Sequence, residues 1–143
     1  MIWAVLTAAV LVGGVGWLRR RWLLVTVTGA SMHPTLMPGD RVLVRRASSG
    51  RIRAGQIVVM ADEVGLIIKR VAAVAGDPVP PGMILGLANR VPPGRLILLG
   101  DNPAGSTDSR QCGYFDARRL VGVAVKPFPQ KAAPDPIPGR RNA

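Results

Sequence analysis

The chain has 143 residues, of which 48% are hydrophobic but only 4% aromatic, and 17 glycines and 13 prolines interrupt it. This length fits one domain, and short apolar runs between frequent turn residues predict mainly β structure. A net charge of +11, with 16 arginines among 19 cations, favours an anionic partner such as lipid headgroups. A nucleic-acid role is not expected, because the sequence lacks a helix-turn-helix pattern, zinc-ligand spacing and enough aromatic residues for base stacking.

The first 21 residues are predicted to form a transmembrane helix with a basic flank. Met1 to Leu18 carry no charged side chain. A helix over the apolar run from Ile2 to Leu18 would span roughly 26 Å, just short of a typical ~30 Å hydrocarbon core. Trp3 and Trp17 stand near its two ends, where interfacial tryptophans are common. The Arg19 to Arg21 cluster follows at once, and the positive-inside rule would keep this cluster in the cytoplasm.

Apolar, β-branched runs separated by turn residues predict the strands of a domain that covers residues 22–126. These runs are 22–28, 41–46, 56–61, 65–75, 95–99 and 120–125, with a weaker candidate at 83–88. Residues 127–143 are rich in proline and are predicted to be a disordered tail.

The stretch from Gly29 to Asp40 is predicted to be a turn between the first two strands. Gly29, Pro34 and Pro38 break regular structure there, so the Ser31 hydroxyl is expected on a fixed loop, where a nucleophile would lie. Taken alone, the stretch fits an ordinary strand-turn-strand connection equally well.

Lys69 stands inside the apolar run 65–75. In a strand, Ile67 and Val71 would share its face. If that face is buried, desolvation lowers the pKa of the amine, as a lysine general base requires. The alternative is that Lys69 extends to solvent beside Arg70 on an exposed edge.

The single cysteine and the single histidine are both assigned non-catalytic positions. Cys112 can form no intramolecular disulfide and has no evident activating partner, so a packing role is expected instead of a thiol nucleophile. His33 lies two positions after Ser31 in a proline-bounded turn and is poorly aimed to act as its base. We expect a surface or lipid-facing side chain.

Three separated stretches together resemble the conserved boxes of type I signal peptidases, which are membrane-bound peptidases with a serine-lysine dyad. They are Gly29-Ala30-Ser31-Met32-His33-Pro34-Thr35-Leu36 with Gly39-Asp40-Arg41-Val42; Lys69-Arg70-Val71 with Gly76-Asp77; and Gly100-Asp101-Asn102 with Ser106-Thr107-Asp108-Ser109-Arg110. The resemblance covers residues 22–125 and is closest to short forms such as the mitochondrial inner-membrane members. Only 22 residues separate Asp77 from Gly100, so the large extra β domain of some bacterial members is absent.

The resemblance implies a compact, mainly β signal-peptidase-like catalytic domain in which Ser31 attacks the scissile carbonyl and neutral Lys69 takes its proton. It further implies that Ser106 orients the Lys69 amine, while Asp108 and Arg110 pair to hold their loop in shape. No cofactor or metal ion is expected.

The resemblance also implies a shallow pocket for a small residue before the cut, and an extended substrate along an exposed strand edge near 25–28 and 41–44. The expected substrate-binding residues are Val27, Thr28, Met32, Leu36 and Ile68. Bacterial members often carry a hydroxyl residue two positions before the nucleophile, where this chain has Gly29. The oxyanion donors would therefore be the Ser31 N–H with either a water or the Thr28 hydroxyl.

The expected function is a single-pass serine endopeptidase of the plasma membrane that removes signal peptides from preproteins on the outer face. Two alternatives stay open. The Arg19 to Arg21 cluster favours a cytoplasm-facing peptidase that matures one dedicated propeptide, and the basic charge also fits an inactive membrane-surface binding protein. A self-cleaving repressor-type relative is not expected, because the 28 mostly apolar residues before the serine turn leave no room for a DNA-binding domain.

Overall fold

The computed structural model describes residues 13–17, 19–84 and 86–128. Most of the predicted transmembrane helix, at 1–12 and 18, lies outside these residues, as does the predicted tail from residue 129 onward. Residues 13–17 and 19–21 are helical. Among the helices in the described part of the chain, none has both the length and the apolar character needed to cross a membrane.

Seven antiparallel strands form one sheet in the order β1-β2-β7-β3-β4-β5-β6. They are β1 (Trp22–Thr26), β2 (Arg41–Arg46), β3 (Ile57–Asp62), β4 (Gly65–Ala73), β5 (Arg95–Leu99), β6 (Phe115–Asp116) and β7 (Leu120–Phe128). The prediction of mainly β structure is confirmed. The last strand of the described residues, β7, lies between β2 and β3.

The strands differ from the prediction in several places. Strand β1 ends two residues early at Thr26, β3 is shifted by one residue, and β4 ends two residues early at Ala73. The candidate strand at 83–88 is wrong: its described residues form turn and irregular structure, and Gly82 and Gly86 have positive φ angles of 81° and 91° that interrupt an extended chain. Strand β7 continues to Phe128, two residues into the predicted tail. There it pairs with β2 but no longer with β3, so Pro127 is compatible with the ladder. Strand β6 was not predicted.

Strand β4 contributes side chains to two apolar cores. Ile68 packs with Val27, Met32 and Leu36 in one cluster. Val71 packs with Leu98 and others in a second cluster. Because side chains of a strand alternate between faces, β4 connects the core beneath the serine turn to the core beneath the loop after β5.

Candidate active site

The turn that carries Ser31 is closed at its base by backbone hydrogen bonds. The Val27 N–H donates to the Asp40 carbonyl at 2.8 Å, and the Gly39 N–H donates to the Val27 carbonyl at 2.7 Å. The Met37 N–H donates to the Asp40 carboxylate at 2.9 Å. These contacts hold both ends of the turn together, so Ser31 lies on a fixed loop.

Apolar side chains anchor the same turn from below. Met32 and Leu36 are each only 1% exposed and pack in the core with Ile68. Their burial leaves Ser31 half-buried and His33 exposed at the surface, as expected for His33.

The loop after β5 donates hydrogen bonds to two backbone carbonyls of the serine turn. Asn102 donates its backbone N–H to the Ser31 carbonyl at 2.9 Å, and its side-chain amide donates to the Ala30 carbonyl at 3.1 Å. Gly100 permits this approach: a Cβ there would overlap the Ser106 hydroxyl and lie 2.7 Å from the Ser31 carbonyl oxygen. Gly100 and Asn102 lie in the third of the three boxes, but the sequence alone predicted no role for either residue.

Lys69 is buried within β4, with 5% of its surface exposed. Its Nζ donates to the Ser106 Oγ at 2.7 Å, and that hydroxyl in turn donates to the Asp108 carboxylate at 2.9 Å. Burial lowers the pKa of the Lys69 amine below its ordinary value of 10.5, partly opposed by the negative charge of Asp108. The alternative in which Lys69 extends to solvent is wrong.

Asp108 is fully buried, and its carboxylate accepts four hydrogen bonds around the same loop. Besides the Ser106 hydroxyl, its donors include the Gly100 N–H at 2.8 Å and the Arg110 guanidinium at 2.9 Å. The Arg110 N–H also donates to it, and Asp108 caps the short helix Ser109–Cys112. Burial alone would raise the pKa of Asp108, but these hydrogen bonds and the Arg110 charge hold it below its usual value.

A second ion pair connects the three boxes. The Arg70 guanidinium binds Asp101 with two hydrogen bonds, of 2.8 Å from Nε and 2.6 Å from Nη2. The Thr35 hydroxyl donates to the same carboxylate. The hydrogen bond from Arg70 lowers the pKa of Asp101 below its usual value. The sequence alone predicted no role for Arg70, Asp101 or Thr35, although all three lie inside the three boxes.

Ser31 and Lys69 line one cleft of about 140 Å³ between β1 and β4. Among the residues predicted to bind substrate, Val27, Thr28, Met32 and Ile68 line this cleft. Leu36 does not line it; it is buried beneath the cleft in the same apolar cluster.

Two backbone edges border the cleft. Strand β1 is an edge of the sheet, and residues 66–69 of β4 pair with β3 on one side only, because pairing with β5 begins at Arg70. The expectation that residues 41–44 offer an edge is wrong: β2 lies between β1 and β7, so its backbone groups are already paired.

Cys112 does not pack in a core, contrary to the expectation from the sequence. It ends a four-residue helix whose one buried residue is Ser109, and its side chain is exposed. In the described part of the chain, no group of His, Cys, Asp and Glu side chains could hold a metal ion.

Comparison with known proteins agrees with this geometry. The family model described as "Signal peptidase, peptidase S26" matches residues 1–81 and 83–128. The chain is 35% identical over 116 residues to mitochondrial inner membrane protease subunit 1 of Mus musculus, an alignment that covers 73% of this chain and 70% of the relative. It is 29% identical over 138 residues to signal peptidase IB of Staphylococcus aureus (strain COL), covering 68% of this chain and 72% of the relative. The chain therefore belongs to the S26 signal peptidase family of serine peptidases.

Proposed function

We propose that this protein is a membrane-bound serine endopeptidase that cleaves signal peptides from exported preproteins, with Ser31 as nucleophile and Lys69 as general base. One observation carries the proposal: Ser31 and Lys69 line the same cleft, and the Lys69 amine is buried and hydrogen-bonded to Ser106 at 2.7 Å. Burial supplies the lowered pKa that a lysine base needs near neutral pH.

The reaction begins when the Ser31 Oγ attacks the carbonyl carbon of the scissile peptide bond and its proton passes to neutral Lys69. The tetrahedral intermediate collapses by breaking the C–N bond, and Lys69 returns the proton to the leaving amine. A water molecule then attacks the ester carbonyl of the acyl-enzyme while Lys69 takes its proton. The bond to the Ser31 Oγ breaks, Lys69 returns the proton to that oxygen, and the signal peptide is released with a new carboxylate. Ser106 keeps the amine in place, because its own proton is donated to Asp108 and its lone pair faces Lys69.

The negative charge of the intermediate requires hydrogen-bond donors near Ser31. Within the described residues, the Ser31 N–H makes no hydrogen bond to a backbone carbonyl and is available as one donor. Thr28 lines the cleft beside Gly29, which supports its hydroxyl as the second donor.

The substrate is proposed to lie in the cleft as an added strand between β1 and the open edge at residues 66–69. Val27, Met32 and Ile68 give the cleft apolar walls, and its volume of about 140 Å³ suits small side chains before the cut. Membership of the family supports Ala-x-Ala-like cleavage sites.

Replacement of either proposed catalytic residue tests this function directly. We expect Ser31→Ala and Lys69→Ala to lower the rate of preprotein cleavage by about a thousandfold or more, because both act on the same step. Cleavage of a panel of preproteins is measured, with circular dichroism to check the fold and Ser48→Ala, an exposed serine, as the matched control. Near-normal cleavage by Lys69→Ala would refute the dyad.

We further propose that the domain faces the outer side of the plasma membrane and that its positive charge binds anionic headgroups. Membership of the family supports the outward orientation. The Arg19 to Arg21 cluster instead favours the alternative, a cytoplasm-facing peptidase that matures one propeptide. Protease treatment of intact cells distinguishes the two orientations: an outward-facing domain is digested, and a cytoplasmic one stays intact until the membrane is opened.

Labelling of Ser31 by a β-lactam-type acylating inhibitor would exclude the other alternative, an inactive membrane-surface binding protein.

A further inference from the structure

Asn102 holds the backbone on both sides of Ser31. Its backbone N–H donates to the Ser31 carbonyl at 2.9 Å, and its side-chain amide donates to the Ala30 carbonyl at 3.1 Å. These carbonyls belong to the two peptide groups that follow and precede the Ser31 Cα. Because each peptide group is planar, fixing both of them restricts the backbone torsions of Ser31, and with them the directions of its Oγ and its N–H.

The Asn102 side chain makes this contact instead of a local one. Asn102 stands at the N-cap of a short 3₁₀ helix, Pro103–Gly105, and asparagine is among the residues that most often cap a helix through the side chain. The Asn102 side chain nevertheless makes no capping hydrogen bond. Its amide instead reaches the serine turn, 72 residues earlier in the chain.

Gly105 leaves room for the amide beside Ala30. A Cβ on Gly105 would lie only 2.7 Å from the Nδ2 of Asn102, which is closer than nonbonded atoms can approach, so the amide would have to move. The same Cβ would lie 3.9 Å from the Ala30 carbonyl oxygen, which is an ordinary contact distance. A side chain at position 105 would therefore displace the amide without pressing on the serine turn itself.

The direction of the Ala30 carbonyl determines that of the Ser31 N–H. In a trans peptide group the C=O and the N–H point in opposite directions, so rotation of this group would exchange the N–H for a carbonyl oxygen. In the proposed reaction the Ser31 N–H stabilises the negatively charged intermediate, and a carbonyl oxygen in its place would repel that charge. The His33 N–H binds the Ala30 carbonyl at 3.1 Å from within the turn, and Asn102 binds it from outside.

We propose that Asn102 is a positioning residue of the peptidase: its side-chain amide holds the peptide group between Ala30 and Ser31 in the orientation that presents the Ser31 N–H to the oxyanion. The inference rests on the proposed peptidase function. Asn102 does not line the cleft that contains Ser31 and Lys69, so it acts on the reaction through the backbone of Ser31.

Two variants of the full chain, assayed in detergent, remove the contact in different ways. Asn102→Ala deletes the amide but keeps the backbone N–H that binds Ser31, and Gly105→Ala keeps the amide but displaces it. We expect each to lower kcat for preprotein cleavage by about tenfold or more, because a displacement of about 1 Å can cost about a hundredfold in rate. KM should change less than about twofold. Asn89→Ala and Gly50→Ala, at exposed positions, are the matched controls and should keep the wild-type kcat.

The double variant tests whether Asn102 and Gly105 act through one contact. Once the amide is deleted, a Cβ at position 105 no longer meets it. Adding Gly105→Ala to Asn102→Ala should therefore lower kcat by less than about a further twofold, whereas independent effects would multiply. Multiplied losses would overturn the proposal. Circular dichroism checks the fold of every variant.

A transition-state analogue separates the proposed role from a general disturbance of the site. The Ser31 O–H adds across the C=O of a peptide aldehyde, and the resulting hemiacetal oxygen occupies the oxyanion position. The corresponding peptide alcohol has no carbonyl and binds without such a bond. We expect Asn102→Ala to weaken inhibition by the aldehyde about tenfold or more, and inhibition by the alcohol less than about twofold. The pH midpoint of cleavage should match that of the wild type.

Three further results would overturn the proposal. Wild-type kcat in either single variant would show that the amide contact is not needed, equal weakening of both inhibitors would show a role in peptide binding, and a shifted pH midpoint would show that Asn102 acts through Lys69. Failure of the proposed function is distinguishable, because the wild-type protein would then neither cleave preproteins nor form the adduct at Ser31.

Discussion

Lys69 is the residue on which the proposed chemistry depends most. It occupies an ordinary position in a β-strand, yet it is almost completely buried, and its one hydrogen-bonding side chain among the described residues is Ser106. A protonated amine loses its hydration there, so the neutral form is favoured. The nearby Asp108 carboxylate limits this effect, because it favours the protonated form.

The pH dependence of cleavage follows from the pKa of Lys69. Because only the neutral amine can accept the Ser31 proton, kcat/KM should rise with pH through the Lys69 pKa, and the midpoint should lie below 10.5. The measurement is kcat/KM against pH with a substrate that carries no titratable group near the cut. A profile that keeps rising to a midpoint at or above 10.5 would contradict the assignment.

Ser106 should matter for catalysis more than for folding. We expect Ser106→Ala to lower kcat by about a hundredfold, with a smaller change in KM, because the base loses the hydroxyl that orients it. Ser109→Ala is the matched control: Ser109 is also buried, but its hydroxyl accepts from the Leu98 N–H and does not contact Lys69. Both variants should lose about 1–3 kcal/mol of stability, measured by urea unfolding. Equal loss of kcat in both would refute the specific role of Ser106.

At the level of elements, the site is an assembly of one turn, one strand and one loop. The Gly100 to Asn102 segment contacts all three: Asn102 binds the serine turn, Asp101 binds Arg70 of β4, and the Gly100 N–H binds Asp108 of its own loop. The relative positions of Ser31 and Lys69 therefore depend on a segment that carries neither proposed catalytic group.

Gly100→Ala tests this dependence. The added Cβ would overlap the Ser106 hydroxyl and press on the Ser31 carbonyl, so both must shift, and we expect a stability loss of about 1–3 kcal/mol together with a large fall in kcat. Gly50→Ala is the control, since a Cβ there meets nothing within 4 Å. Thermal unfolding and cleavage rates are compared for the two variants. A wild-type kcat in Gly100→Ala would show that cleavage does not depend on the close packing of Gly100 against Ser106 and the Ser31 carbonyl.

At the scale of the whole molecule, the sheet brings together residues far apart in the chain. Strand β7 pairs with both β2 and β3, and β4 contributes side chains to both apolar cores. Two low-pKa carboxylates, Asp101 and Asp108, stabilise the contacts between the loops that meet at the site.

Acid should therefore weaken the whole fold. Both carboxylates have pKa values in the folded protein below 3.8, so the unfolded chain binds more protons than the folded one as the pH drops through this region. Their stabilising effect is complete above about pH 4 and is lost as the pH falls through the folded-state values. We expect Tm to fall steeply below about pH 4, and less steeply in Asp101→Asn. Identical pH dependence of Tm in the two proteins would refute this role for Asp101.

The amino-acid sequence determined much of the fold and the composition of the site. Apolar runs predicted β2 and β5 with the bounds observed, and the resemblance of the three boxes to a known family predicted a site of Ser31, Lys69, Ser106, Asp108 and Arg110. These features are local, because strand periodicity, turn residues and motif order can all be read along the chain.

Only the tertiary structure decided which groups meet and which surfaces are open. Local pattern could not tell whether Lys69 faced solvent or a core, since that depends on the loop folded over it. Leu36 and Cys112 were misplaced for the same reason, and 41–44 became an interior strand because the distant β7 pairs with it. Burial, backbone pairing and cavities arise from contacts between distant parts of the chain, and the lowered pKa of Lys69, on which its proposed role as a base depends, arises from those contacts.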